Sequence, residues 1–283
     1  MRALICVFSG TGNTLKVGER LGEELGNYGV DADIYAVHEG KDMPDTGIYD
    51  LLIVGYPVHA FNAPSAMLRF LKNLPKVSGV PTYIIRSSGE PLRLNDASGI
   101  TPRRILKKKG YAVRGEFAYV MPYNIIFRHS DGMAARMWRA AELRIEEDAK
   151  QIAEGKGKIK KNNIFRRFVS FVLRIEHTAM PVLGKHFRST ENCVGCGICA
   201  NKCPRSNITI VDGKPKFGKK CVGCMACAFS CPKDAIKTSL LNGWRVNGAY
   251  SFEGEPATDE EVCDYCKKAY LKYFRESEEK IAK

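Results

Sequence analysis

The sequence contains no apolar run that approaches 18 residues, so we expect no segment to span a membrane. It also lacks the features of a signal peptide, because the apolar stretch of "MRALICVF" is short and no small-residue cleavage site follows it. A secreted disulfide scaffold is disfavoured for the same reason, although the 283 residues include 11 cysteines. We therefore expect a cytoplasmic protein whose clustered cysteines are metal ligands or redox groups.

The first half of the chain alternates between strand and helix patterns. Strands are predicted at 3–8, 30–37, 49–58, 80–87 and 111–122, and helices at 13–26, 63–74, 97–109 and 132–154. Apolar runs such as "ALICVF" are typical of strands that are buried on both faces. The pattern predicts an α/β fold with a doubly wound, five-strand parallel sheet.

The second half is different in composition and suggests three further segments. Residues 156–190 form a basic linker, in which 162–177 ("NNIFRRFVSFVLRIEH") has the spacing of an amphipathic helix. We favour a helix that packs on the first domain, 1–155, over one that lies on a membrane surface. Residues 191–241 are rich in cysteine, and the extension 242–283 contains a predicted helix at about 258–281.

The cysteine-rich segment contains an internal repeat. "CVGCGICANKCPRSNITI" at 193–210 is followed by "CVGCMACAFSCPKDAIKT" at 221–238, and each copy reads C-x2-C-x2-C-x3-C-P. Pairs of C-x2-C can also bind zinc, which needs only four ligands. Two triplets, each with a fourth cysteine and a proline at the same offset, fit iron–sulfur cubanes much better.

Residues 191–241 resemble a bacterial two-[4Fe-4S] ferredoxin, and both motifs are complete. In such ferredoxins the fourth cysteine of each run binds the other cluster. The resemblance therefore implies one cluster on Cys193, Cys196, Cys199 and Cys231, and a second on Cys221, Cys224, Cys227 and Cys203. It also implies one-electron transfer. Unlike free ferredoxins of this type, the segment is basic, which favours an acidic redox partner.

The loop "FSGTGNT" at 8–14 joins the first strand to the first helix and contains no basic residue. An anion can still bind there, because the amides at a helix N-terminus are unpaired and lie at the positive end of the helix dipole. A nucleotide P-loop requires G-x4-G-K-[ST], which is absent, and a dinucleotide fingerprint requires a glycine where Leu15 stands. A plain helix cap remains as the alternative.

The position of this loop after the first of five strands resembles the FMN phosphate loop of flavodoxins. The resemblance implies the strand order 2-1-3-4-5 and an FMN whose phosphate contacts Ser9, Gly10, Thr11, Gly12, Asn13 and Thr14. It also implies that the loops 55–64 and 86–96 frame the flavin ring, with Tyr56, Pro57, His59, Phe61, Ser88 and Gly89 as candidates. The second loop has no aromatic residue, so Tyr123 or Asn124 is an alternative wall.

The net charge of +13 invites comparison with nucleic-acid-binding proteins. Two clusters and a phosphate, at roughly −2 each, would lower the working charge to about +7. This value suits an acidic protein partner at least as well as DNA, and we expect no specific nucleic-acid binding.

Together the two halves resemble the flavodoxin–ferredoxin fusion proteins of anaerobic bacteria and archaea. The resemblance implies an electron-transfer protein that relays single electrons between FMN, two [4Fe-4S] clusters and external redox proteins. One alternative is a flavin-dependent oxidoreductase with its own substrate, such as a quinone, NAD(P)H or a small oxidant. A nucleic-acid or membrane-surface binder with sensory clusters is another. Outside the motifs, we expect Cys6 to be a buried apolar residue, and Cys263 and Cys266 to pack in a helix or to form a redox pair or extra metal site.

Overall fold

The computed structural model describes residues 1–279, and its first half is built around a five-stranded parallel sheet. The strands are β1 (Arg2–Val7), β2 (Asp31–Ala36), β3 (Leu51–Pro57), β4 (Pro81–Ser88) and β5 (Ala112–Val120). Their order in the sheet is β2-β1-β3-β4-β5, which confirms the predicted fold class. β1 and β3 lie inside the sheet and are buried along almost their whole length, as their continuous apolar sequences predict.

Helices cover both faces of this sheet. They are α1 (Asn13–Gly26), α2 (Ser65–Asn73), α3 (Ile100–Lys108) and α4 (Asp131–Ala153). α1 and α4 bury residues such as Leu21 and Ile145 on one face, and α2 and α3 bury Leu71 and Leu106 on the other. The predicted helix at 97–109 is shorter than expected, because a 3₁₀ helix (Arg93–Gly99) precedes α3.

The linker forms two helices, α5 (Ile164–Leu173) and α6 (Glu176–Lys185), so the single helix predicted at 162–177 is wrong. Between them the hydrogen bonds follow a three-residue spacing, with Ile175 N donating to Val172 O and His177 N donating to Arg174 O. This tighter turn interrupts the α-helix. α5 contacts the first domain, as expected, but it does so through polar residues.

The cysteine-rich segment contains two short antiparallel sheets. β6 (Arg188–Ser189) pairs with β9 (Ile236–Lys237), and β7 (Ile208–Val211) pairs with β8 (Lys214–Phe217). Two one-turn helices, α7 (Ile198–Asn201) and α8 (Ala226–Phe229), occupy equivalent places in the two sequence repeats. Each follows a residue with left-handed backbone, Gly197 or Met225, so the sequence repeat is also a structural repeat.

The C-terminal extension returns to the first domain. Its helix α9 (Lys267–Glu278) packs on α4 and on the end of β5 through Tyr270, Tyr273 and Phe274. The helix predicted from about 258 begins nine residues later, because Cys266 has a positive φ of 58° that an α-helix does not accommodate. Residues 280 and 281 of that prediction lie outside the described residues. Across residues 1–279, no helix is both long and apolar enough to cross a membrane.

Candidate redox site

The phosphate loop prediction can be compared with the local backbone geometry. Gly12 adopts a left-handed conformation (φ 96°) immediately before α1, and the first turn of α1 has neither an acidic residue nor a capping side chain. Within residues 1–279, the amides of residues 9–14 donate no hydrogen bond to the protein. The loop therefore presents free N–H donors at the positive end of a helix dipole, which fits a phosphate group.

Side chains of the same loop hold it in place. Asn13 Nδ2 donates to Pro122 O at 2.8 Å, and the Thr14 and Ser87 hydroxyl oxygens lie 2.7 Å apart in a buried hydrogen bond. These two contacts tie the loop to the ends of β5 and β4. The side chains of Asn13 and Thr14 thus act within the protein, while the backbone amides remain available to a ligand.

A cavity of about 440 Å³ begins at this loop and runs along the carboxyl ends of the strands. Its volume lies in the range of small-molecule and cofactor sites. The structure brings ten predicted residues to its lining: Ser9, Gly10, Thr11, Asn13, Thr14, Pro57, His59, Phe61, Ser88 and Gly89. Gly12 lines a neighbouring cleft instead, and Tyr56 is fully buried in the sheet and does not line the cavity.

The loop after β3 reaches the cavity through a tight turn. The backbones of His59 and Asn62 pair with each other, and the two residues between them, Ala60 and Phe61, both have positive φ values. Non-glycine residues rarely adopt this conformation, and such strain is concentrated at functional sites. Here it places Phe61 in the cavity lining, where an aromatic ring was predicted to contact the flavin.

Tyr123 supplies the aromatic side chain that the loop 86–96 lacks. It lines the cavity and packs against Gly89, where any Cβ would overlap its ring. Its hydroxyl donates a hydrogen bond to Glu90, and burial raises the pKa of that carboxyl above its ordinary value. Asn124 also lines the cavity, so both alternatives proposed from the sequence lie there.

His129 supports Tyr123 from behind. The two rings are stacked with centroids 5.2 Å apart, and His129 Nδ1 accepts a hydrogen bond from Tyr123 N at 3.3 Å. Burial lowers the pKa of His129 from 6.5 to about 4. The neutral imidazole is therefore the form that holds this wall of the cavity, since a protonated Nδ1 could not accept the bond.

This arrangement predicts a stability that decreases in acid. Between pH 6.5 and about 4 the unfolded chain binds a proton at His129 that the folded chain does not bind, so the free energy of unfolding falls as the pH falls. The loss is at most about 3 kcal/mol. His129→Asn keeps a hydrogen-bond acceptor but cannot titrate. We expect it to be less stable than the parent protein at pH 7, and the difference in stability should narrow towards pH 4.5. Thermal unfolding midpoints of both chains at each pH measure this gap, and a constant gap would contradict the assignment.

The first predicted set of cluster ligands surrounds one small cavity. Cys193, Cys196, Cys199 and Cys231 all line it, so the fourth cysteine of the second repeat joins the triplet of the first. Burial raises the pKa of the Cys199 thiol, and the three neighbouring thiols raise it further. Cys196 is exposed, so this set, which we call the outer cysteines, lies at the surface.

The second set, which we call the inner cysteines, is more deeply buried. Burial raises the pKa of Cys224 to about 12, and the nearby thiols of Cys221 and Cys203 raise it as well. Burial also raises the pKa of the Cys227 thiol, and the nearby thiols of Cys224, Cys221 and Cys203 raise it further. Cys203 therefore lies with the second triplet, as the cross-pairing implied by the resemblance requires.

The inner cysteines touch the phosphate loop. A Cβ placed on Gly10 would lie 2.6 Å from Cys224 O and 3.1 Å from Cys224 Sγ. Asn124 Nδ2 also donates to Cys224 O at 3.3 Å. Residues of the second repeat, Gly223 and Met225, line the same cavity as the phosphate loop. The inner cysteines and the cavity therefore share a wall that is one residue thick.

Several lining residues were not predicted from the sequence. The linker helices contribute Leu173, Glu176 and Met180, and the C-terminal extension contributes Trp244 and Tyr265. No motif marks these residues, because they reach the cavity only through contacts between distant parts of the chain. Examples are the bond from Ile126 N to Trp244 O and the bond from Tyr270 Oη to Gly89 O. The only signal in the sequence was the lack of an aromatic residue in the loop 86–96.

Cys263 and Cys266 fall within the helix predicted at about 258–281, but in the structure they lie just before α9 and outside it. Both are partly buried, and burial raises the pKa of Cys263 above its ordinary value. Such a shift disfavours the reactive thiolate. Both cysteines pack against the apolar cluster of α4 and α9, in line with the packing alternative. Cys6 is completely buried in β1, as predicted.

The comparisons with known proteins concern both halves. Residues 187–209 and 218–237 match the family of 4Fe-4S binding domains. The comparison with curated proteins gave no match. Among solved structures, a flavodoxin of Streptococcus pneumonia TIGR4 is 19% identical over 54% of this chain and 99% of its own, with a TM-score of 0.42.

Two other solved structures show a similar level of likeness. Flavodoxin 2 from Bacillus cereus is 16% identical over 54% of this chain and 99% of its own, with a TM-score of 0.42. Rubredoxin oxygen:oxidoreductase from the anaerobe Desulfovibrio gigas is 16% identical over 54% of this chain and 35% of its own, with a TM-score of 0.37.

The flavodoxin-like fold of the first half follows from the strand order of its sheet, and the iron–sulfur character of residues 187–237 follows from the family match. These two findings place the chain in a redox or electron-transfer class. The chain joins a domain of flavodoxin-like fold to a segment that matches the 4Fe-4S binding domains.

Proposed function

We propose that this protein relays single electrons between an FMN in the 440 Å³ cavity and two [4Fe-4S] clusters, and from there to external redox proteins. The observation that supports this proposal best is the contact between Gly10 of the phosphate loop and Cys224 of the inner cysteines. It brings two kinds of redox site against each other within one folded unit. In this proposal, electrons pass from the cavity to the inner cysteines and then to the outer cysteines, or along the same path in reverse.

Different residues of the cavity would bind the phosphate and the ring of FMN. The free amides of residues 9–14 would hold the phosphate, and the ring would lie between Phe61 and Tyr123. When bound, FMN supplies a centre that takes up two electrons and releases them singly, and each cluster supplies a one-electron centre. The eight cysteines of the two repeats hold the clusters as thiolates, four for each.

The protein also fixes the spacing of the sites. Arg205, which follows Cys203, forms an ion pair with Glu39 after β2, and Ser206 Oγ donates to Glu39 O at 3.3 Å. Arg128 donates to the carbonyl oxygens of Gly248 and Ala249 at 2.8 and 2.9 Å. The contacts of Arg205 and Ser206 hold the ferredoxin domain on the flavodoxin-like domain, and those of Arg128 hold the C-terminal extension there, so no hinge motion is needed for electron transfer.

The outer cysteines provide the exit to a partner. Cys196 is exposed, and Val194 beside it is 63% exposed. Lys233 lines the cavity between the outer cysteines, and Lys214 Nζ donates to Cys193 O at 3.1 Å. A basic rim around an exposed cluster suits an acidic redox protein and would accelerate its association at low salt.

The test is an anaerobic photoreduction of the reconstituted full-length protein. We expect about eight iron atoms and one FMN per chain, and flavin and cluster absorbance that change together during reduction. Rapid re-equilibration within each molecule, independent of protein concentration, would support the relay. Flavin and clusters that titrate without exchanging electrons would contradict it, as would a protein that binds only one of the two cofactors.

A second candidate function is supported by the open end of the cavity. Ile126 and Trp244 line it and are 47% and 58% exposed, so an apolar molecule could reach the flavin from solvent. This geometry suits a flavin-dependent oxidoreductase that receives electrons from the clusters and reduces an apolar acceptor such as a quinone. Steady-state reduction of a soluble quinone by the photoreduced protein tests it, with Trp244→Ala expected to raise KM more than it lowers kcat.

A further inference from the structure

α5 presents a row of large apolar side chains to solvent. Phe165, Phe168 and Phe171 are 63–68% exposed, Ile164 is 85% exposed, and Ile175, in the turn just after the helix, is 66% exposed. With Val172 these residues recur at three- and four-residue spacings, so they share one side of the helix, which we call the α5 face. Contiguous exposed apolar surface of this kind marks an interaction site in soluble proteins.

The helix is oriented against the usual rule. An amphipathic helix normally turns its apolar side to the core, but α5 turns its polar side inward. Ser170 is only 2% exposed, its Oγ donates to Asn62 Oδ1 at 2.9 Å, and its carbonyl accepts from Asn62 Nδ2 at 2.9 Å. Two buried hydrogen bonds to one asparagine thus fix the orientation in which the α5 face points away from the protein.

Contacts at both ends hold α5 rigidly. Before the helix, Asn162 Nδ2 donates to Asp96 O at 3.1 Å. After it, Arg174 Nη2 donates to Thr101 Oγ1 at 3.2 Å, and His177 Nε2 lies 3.1 Å from Ala63 O. The α5 face is therefore preorganised and does not depend on folding upon binding.

The chain segment that carries the α5 face is basic. Residues 155–175 contain four lysines and three arginines and no acidic residue: Lys156, Lys158, Lys160, Lys161, Arg166, Arg167 and Arg174. Lys158, Lys160 and Lys161 are all exposed. Helices that lie in the interface of anionic bilayers have this pattern. They carry phenylalanine and isoleucine on one side, together with lysine and arginine.

We propose that the α5 face binds the surface of an anionic lipid bilayer, with its phenylalanines in the interfacial layer and the lysines at the headgroups. The helix does not cross the bilayer. Because Leu173, at the C-terminal end of α5, lines the cavity, binding would place the open side of the proposed flavin site near the lipid. The exposed residues of the face are large and apolar, and the segment around it has cations but no acid, which suits an anionic lipid surface.

The experiment is vesicle co-sedimentation of the full-length, cofactor-loaded protein. We expect binding to phosphatidylcholine vesicles that contain about one third phosphatidylglycerol, and little binding to pure phosphatidylcholine. Raising the salt from about 0.1 M to about 0.5 M should weaken binding about ten-fold. Phe165→Ser/Phe168→Ser/Phe171→Ser should lower the partition coefficient on the order of 100-fold.

Two matched variants control the result. Tyr28→Ser/Met43→Ser/Ile48→Ser removes three exposed apolar residues of the first domain and should bind vesicles like the parent. Lys158→Gln/Lys160→Gln/Lys161→Gln should lose the preference for anionic lipid. Unchanged cluster and flavin absorbance shows that each variant is folded.

Three outcomes would overturn the proposal. One is no vesicle binding by the parent protein, and another is equal binding by the parent and the triple serine variant. The third is a dimer or a complex with an acidic protein, seen by light scattering, that disappears in the triple serine variant while vesicle binding does not change. That result would assign the α5 face to a protein partner.

Discussion

Gly10→Ala is expected to weaken FMN binding and disturb the inner cysteines at the same time. The added Cβ would lie 2.6 Å from Cys224 O and 2.7 Å from Cys224 Cβ, and both are atoms that cannot move independently of the backbone. Overpacking of this kind costs about 1–3 kcal/mol. That corresponds to about a 5- to 150-fold rise in the Kd for FMN. Quenching of flavin fluorescence measures the Kd, and electron paramagnetic resonance of the reduced protein reports on the cluster.

Gly26→Ala is the matched control for this substitution. Gly26 ends α1, the helix that the phosphate loop begins, and nothing lies within 4 Å of the position where its Cβ would be. We expect this variant to bind FMN normally, with a small gain in stability if any. If Gly10→Ala also bound FMN normally and left the cluster signals unchanged, the shared wall between the two sites would be wrong.

Cys224→Ser and Cys196→Ser are expected to slow two different steps of electron transfer. Each variant should lose one cluster, so the iron content should fall from about eight to about four atoms per chain. Cys224→Ser removes the centre beside the flavin cavity. Electron exchange with the flavin should then depend on encounters between molecules, with a loss of on the order of 10²- to 10⁴-fold in effective concentration.

Cys196→Ser should leave exchange between the flavin and the inner cluster intact, because Cys196 belongs to the exposed outer set. Its effect should appear in the transfer to an external acceptor, as a slower bimolecular rate. Stopped-flow reduction under anaerobic conditions separates the two rates. Cys263→Ser serves as the control, since it lies in neither set and should retain the full iron content. Equal slowing of both rates in both cluster variants would contradict the proposed order of electron transfer.

The two redox sites differ in how far the sequence alone predicted them. The cluster ligands could be assigned because their spacing is local and because the repeat occurs twice. The cross-pairing of Cys203 and Cys231 was implied by the resemblance, and the contacts of both thiols agree with it. The flavin cavity was predicted in part, since the phosphate loop is one continuous stretch but the walls of the cavity are not.

The least predictable wall residues are those farthest away along the chain. Tyr123 could be proposed because it follows β5, at the edge of the sheet where ligands bind. Trp244 and Tyr265 could not, because nothing in the sequence places the C-terminal extension beside this edge of the sheet. Their positions depend on bonds such as that between Tyr250 Oη and Tyr123 O, at 2.7 Å and 127 residues apart.

In α5 the periodicity of apolar residues is clear, yet it did not predict which side of the helix faces solvent. The apolar spacing at 162–177 predicted the helical structure of α5, though not the break after it, and the favoured packing of such a helix buries the apolar side. The structure exposes that side, because Asn62 offers Ser170 two buried hydrogen bonds and the unpaired groups would otherwise be costly. The orientation of α5 depends on the residues against which it packs, and the sequence of the helix does not identify those residues.

The sequence by itself determined the α/β fold and the division of eight cysteines into two groups of four. Both depend on short-range regularities, namely apolar strand runs, helix periodicity and cysteine spacing. The tertiary structure alone decided that Cys224 touches Gly10, that the linker and the C-terminal extension complete the proposed flavin cavity, and that the α5 face is exposed. These features arise from contacts between residues more than 100 positions apart, which form only when the whole chain has found its packing.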